Sequence, residues 1–78
     1  MEADICKRFG QNVRRTRRAQ EMSQEELAHR ADLHRTYLSS IERGGGRNPS
    51  LRAIDQIAKA LGVTPGSLLD GDADPPPK

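Results

Sequence analysis

The chain has 78 residues, thirteen Lys and Arg against eleven Asp and Glu, and a net charge of +2, which bounds it to one small domain. Only 33 % of the residues are apolar and no apolar run exceeds two, so neither a membrane span nor an export signal is expected, and the expected location is the cytoplasm. One cysteine, Cys6, forbids an internal disulfide, and two histidines, His29 and His34, are too few for structural zinc.

A domain this small is only marginally stable alone and often gains stability from a disulfide, a metal or a partner subunit, of which oligomerisation is the one left. No His, Cys or carboxylate cluster forms a catalytic constellation, so an enzyme is not expected and no cofactor is implied. Two aromatics, Phe9 and Tyr37, are too few for base-stacking sheets that bind RNA or single strands. Val, Ile and Thr total nine, which argues against an all-β domain. Cys6 is read as inert.

The first predicted helix runs from about Asp4 to Ala19. Phe9, Val13 and Thr16 mark its inner face, with Ile5 one turn earlier. Ser23 opens the second, from about 24 to 31. Ser23-Gln-Glu-Glu26 is a capping box, with serine capping the Glu26 amide and glutamate reaching back. Asp32-Leu-His34 is long enough only for a tight turn, and Asp tolerates a left-handed conformation there. The third helix spans 35–43, with His34 as its cap, Leu38 and Ile41 inward, and Gly44-Gly-Gly46 as its stop. Ser50 caps the fourth, 51–61, whose inner face is Leu51, Ile54, Ile57, Ala58 and Leu61, with Gly62 after it. Thr64 and Pro65 open a short fifth, 65–69, carrying Leu68 and Leu69. The fold class is therefore all-α. Five helices form a compact domain over residues 1–69, with a helix-turn-helix pair at its centre.

Residues 70–78 hold three acids and one base and end in prolines that continue no helix, which predicts a disordered acidic tail. Without them the body carries twelve bases and eight acids, or +4. Six of those bases lie within residues 7–18, as either a solvated helix face or a phosphate footprint.

A DNA major groove about 12 Å wide admits one helix. The outer face of the third helix offers Arg35, Thr36, Ser39, Ser40 and Arg43. Arg35 suits a guanine edge, Thr36 a thymine methyl or a base edge, and the serines permit close approach. The plain alternative is a solvated polar face. Gln24 stands at the start of the second helix, where free amides favour a phosphate. Arg47-Asn48 forms a loop suited to the next phosphate. Tyr37 suits either the core or a phosphate. Glu42 would repel phosphates, and Arg17 is its candidate partner in an ion pair between the first and third helices.

The run from Ser23 to Gly44, with Phe9-Gly-Gln-Asn-Val-Arg14, Arg47-Asn-Pro-Ser-Leu51 and Ile57-Ala-Lys-Ala-Leu-Gly-Val63, resembles the Cro/phage-repressor type of helix-turn-helix family over residues 8–69. His34-Arg-Thr-Tyr-Leu-Ser-Ser-Ile-Glu-Arg-Gly44 is most similar to controller proteins of restriction–modification systems. Asp32 stands where the family usually has Gly, and the loop after Gly44 has one glycine more than usual.

The resemblance implies a transcriptional regulator, such as a repressor, that binds double-stranded DNA as a homodimer on paired half-sites. It puts Arg35, Thr36, Ser39 and Ser40 at base edges. Gln24, Arg43, Arg47 and Asn48 go to phosphates, and Tyr37 is placed with them. Arg17 and Glu42 match a structural ion pair. Dimer contacts fall at Val63, Leu68 and Leu69. No membrane and no small-molecule effector is expected. Two other readings use the same fold, an antitoxin-type autoregulator that binds a toxin and a protein-interaction adaptor.

Overall fold

The computed structural model describes residues 4–44 and 48–70. Five helices follow in chain order: α1 Ile5–Ala19, α2 Gln24–Ala31, α3 Arg35–Arg43, α4 Leu51–Leu61 and α5 Pro65–Leu69. No strand occurs among the described residues. The predicted bounds agree, except that Asp4 is the cap of α1 rather than its first residue. Arg47 and residues 71–78, the bulk of the expected tail, lie outside the described residues.

Four of the five helices start where a side chain replaces a missing backbone partner. Asp4 Oδ1 accepts from the Cys6 amide at 3.0 Å, and Ser23 Oγ from the Glu26 amide at 2.9 Å. Ser50 Oγ accepts from Ala53 at 3.0 Å, and Thr64 Oγ1 from Ser67 at 3.1 Å. Such a cap is worth about 1 kcal/mol. Two expectations fail here. The Glu26 carboxylate accepts from Arg30 at 2.6 Å rather than reaching back, because a cation one turn on the same face competes for it. His34 occupies the cap position of α3, yet its side chain makes no capping bond.

The α2–α3 turn closes at Asp32, whose φ of 61° and ψ of 45° are left-handed. Aspartate thus does what glycine commonly does, as expected. Gly44 and Gly62 end α3 and α4 in the same conformation.

Phe9, Val13, Leu27, Leu38, Ile57 and Leu68 form the fully buried centre. α1 packs on α3 and α5, while α2 lies between α3 and α4. Gly10 makes the α1–α3 approach possible, since a β-carbon there would strike the Ile41 carbonyl oxygen. Two glutamines tie helix ends: Gln56 Nε2 donates to Ala31 O at 2.8 Å, and Gln20 Nε2 to Leu61 O at 2.7 Å. These carbonyls lie in last turns, where the helix leaves acceptors unpaired.

Three apolar assignments change. Ile5 is 51 % exposed and Leu51 82 % exposed, although both fall on inward periodicities. They sit in first turns, beyond the reach of neighbouring helices. Leu68, assigned to the dimer face, is 1 % exposed and fully in the core. The buried Asn12 is the reason: its Nδ2 donates to Leu68 O at 2.9 Å and to Asp70 O at 3.3 Å, pulling α5 down onto α1. Leu69 and Val63 remain half-buried.

Candidate nucleic-acid interface

Where α1, α2 and α3 converge, a buried polar hub sets their positions. Arg17 Nε donates to Glu42 Oε2 at 2.7 Å, and Nη2 to Oε1 at 3.0 Å. The pair is bidentate, with side chains only 11 % and 3 % exposed. Arg17 Nη1 adds a bond to Met22 O at 2.7 Å, and Gln24 Nε2 donates to Glu42 Oε1 at 3.0 Å. Hydrogen bonding to the Glu42 carboxylate raises the Arg17 pKa above its ordinary value, against the opposing effect of burial. A buried pair of this kind holds geometry more than it adds net stability.

The hub has an electrostatic consequence. Glu42 is the one acid on α3. Folding draws it inward and neutralises it, so the outer face of α3 keeps only neutral and positive groups. Arg35 and Thr36 are exposed there, while Ser39 and Ser40 are half-buried. Arg43 is exposed, and its Nη1 donates to Ser39 Oγ at 2.9 Å, which lays the guanidinium back along the helix. A shallow surface groove runs between His34, Thr36, Tyr37, Ser40 and Arg43.

The expected phosphate-facing residues behave less uniformly. Gln24 is half-buried with its amide on Glu42, so the backbone amides at the α2 N-terminus are its freer contribution. The Tyr37 ring packs against the core, and its hydroxyl accepts from the Ser50 amide at 3.4 Å. That contact occupies the hydroxyl with the chain's own backbone at the entry to α4. Asn48 is exposed, and its Oδ1 accepts from Cys6 Sγ at 2.8 Å. Cys6 therefore ties Asn48 to α1, a role its spacing alone does not show.

Several residues that position the site escape sequence reasoning. Asn12 was legible in principle, as a polar residue three on from Phe9 on an apolar face. Gly10, Gln20 and Gln56 carry no such signal, because their function is set by approaches between segments far apart in sequence.

At the other end of α1, Ile5, Cys6, Phe9, Pro49, Leu51 and Leu69 line an open apolar groove. Among the described residues no group of His, Cys, Asp and Glu is arranged to hold a metal, and no helix is long and apolar enough to cross a membrane.

A capped α2, a tight left-handed turn and an α3 with a polar outer face make up the central pair, and a helix-turn-helix family model matches residues 13–68. The chain belongs to the helix-turn-helix family. Control protein C.BamHI of Bacillus amyloliquefaciens is 60 % identical over 63 residues, 80 % of this chain and 76 % of that protein. The restriction-modification controller protein C.AhdI of Aeromonas hydrophila has a crystal structure similar at a TM-score of 0.77 and 43 % identity, over 81 % of this chain and 94 % of that one. SinR, the master regulator for biofilm formation, crystallised in complex with DNA, is similar at 0.76 and 37 %, over 80 % and 98 %. This helix-turn-helix protein is accordingly a DNA-binding transcriptional regulator.

Proposed function

We propose that the protein acts as a restriction–modification controller, a homodimer that reads paired half-sites in duplex DNA. It acts by occupancy in the cytoplasm, at the nucleoid when bound, without catalysis. The observation that carries the reading is the charge arrangement of α3, whose acid is buried on Arg17 while Arg35 and Thr36 stand exposed near the N-terminal end. That is the end from which a recognition helix reaches base edges. Arg35, Thr36, Ser39 and Ser40 face the bases in this reading. The α2 N-terminus at Gln24, with Arg43, Arg47 and Asn48, faces phosphates.

The dimer uses the apolar end of the molecule. Ile5 and Leu51 are exposed and Leu69 half-exposed around one groove, and Val63 follows α4 on the approach to α5. Large apolar side chains grouped in this way mark an association surface. This face takes the place of Leu68 in the interface.

Selection of bound sequences from a random duplex pool tests the function. A symmetric pair of half-sites is the expected result. Equal affinity for the selected and a scrambled duplex at ~150 mM salt, where non-specific binding is weak, overturns it. Arg35→Ala then lowers affinity for the selected site by about 1–3 kcal/mol and relaxes preference at one base position.

A further inference from the structure

We propose that α1 carries a second set of phosphate contacts, formed by Lys7, Arg14 and Arg18 on the side of the helix that flanks α3. The inference rests on the DNA-binding reading above and adds to it an element that does not enter the groove.

The register of α1 places this row. Gly10 abuts the Ile41 carbonyl and Arg17 reaches Glu42, so the line from Gly10 to Arg17 marks where α1 meets α3. Lys7 lies three residues before Gly10, and Arg14 lies four after it and three before Arg17. Residues so spaced stack along one side of a helix. Arg18 follows Arg14 by four. At one end, Lys7 packs against Gly44, where a β-carbon would come 3.0 Å from the Lys7 Cα. Gly44 ends α3 and opens the loop to Asn48. At the other end the hub ties α1 to Met22 and Gln24, at the start of α2. The row therefore runs between the two regions already assigned to phosphates.

Its charge is unbalanced. Lys7, Arg14 and Arg18 pair with no carboxylate among the described residues. Arg14 and Arg18 are like charges at i and i+4, which costs a helix a few tenths of a kcal/mol. Placement in the last turn suits Arg18 to the helix dipole, but does nothing for Arg14 or Lys7. A helix side that repels itself and lies next to α3 fits a polyanion, and the phosphodiester backbone of the bound duplex is the one this face meets.

The test is the triple variant Lys7→Gln/Arg14→Gln/Arg18→Gln, titrated over a range of salt against the selected operator and a mixed-sequence duplex of equal length. The slope of log affinity against log salt is expected to fall by about three, one for each phosphate no longer neutralised. Both duplexes weaken by a similar factor, so their affinity ratio stays that of wild type. Arg14→Lys/Arg18→Lys keeps the wild-type slope, because charge rather than geometry is used. Relief of like-charge repulsion leaves the melting temperature equal or higher, which separates weakened binding from unfolding. An unchanged slope, in a wild type that prefers its operator, overturns the inference and leaves the function standing. A wild type without preference overturns the function instead.

Discussion

The two ends of α1 solve opposite problems. Near its C-terminal end, charged and polar groups are buried, and Arg17, Glu42, Gln24 and the Met22 carbonyl satisfy one another within 3.0 Å. Near its N-terminal end, apolar groups are exposed, with Ile5 and Leu51 beside a groove that stays open among the described residues. The first arrangement is complete within one chain. The second is completed by another chain in the proposed dimer. Breaking the first should therefore damage the fold, and breaking the second only the assembly.

Leu68 gives the largest expected effect, because it lies just inside the boundary between these ends. It is fully buried, and its carbonyl is held by Asn12. Leu68→Asp puts a carboxylate in the core and should cost at least about 4 kcal/mol, much of the stability of a domain this size. Loss of the cooperative transition in urea unfolding is the expected result. A variant that unfolds like wild type but sediments as a monomer would return Leu68 to the interface.

Removing half of the hub comes next. Arg17→Ala leaves Glu42 buried without its cation, and loss of one partner of such a pair costs about 3–5 kcal/mol. Arg17→Met/Glu42→Leu removes both charges and should recover most of that loss in the same unfolding experiment, while Gln24 loses its tether to Glu42. A raised pKa on a cation means its share of stability is fully present below the unfolded-state value and is lost only as pH climbs through the folded one. For Arg17 that window lies above the ordinary arginine value, in strong alkali. An alkaline transition anywhere below it must therefore arise elsewhere, and comparison of wild type with the double variant checks this.

The contrast also explains what could be read from the sequence. Helix bounds were legible because caps and stops are local: Ser23, Ser50, Thr64, Gly44 and Gly62 act within a few residues. The Arg17–Glu42 pairing was legible because an acid on a polar, basic face needs a partner, and one cation lay at the edge of the adjacent helix face. Periodicity failed at helix ends. Ile5, Leu51 and Leu68 each fall on an apolar face, but whether a neighbour covers that face depends on where each helix stops relative to the others. The bonds of Gln24, Tyr37 and Asn48 within the protomer were hidden for the same reason, since their partners are 18, 13 and 42 residues away.

Leu51 carries the smallest effect on the fold and the sharpest test of the comparison. At 82 % exposure it gives up little burial when replaced, and its position in the first turn of α4 makes no demand that lysine cannot meet. Leu51→Lys should therefore change protomer stability by no more than about 0.5 kcal/mol, as surface substitutions do. In a dimer joined at this end, two copies of the new charge meet across a symmetric contact, since a two-fold interface brings the same patch from both subunits together. Sedimentation should show a monomer where wild type is a dimer, and operator affinity should fall because two linked half-site contacts become independent ones. Contacts by a single protomer remain, so binding to an isolated half-site should match wild type. A Leu51→Lys protein that stays dimeric with full operator affinity would mean that the exposed apolar end is surface only, and that the dimer forms elsewhere.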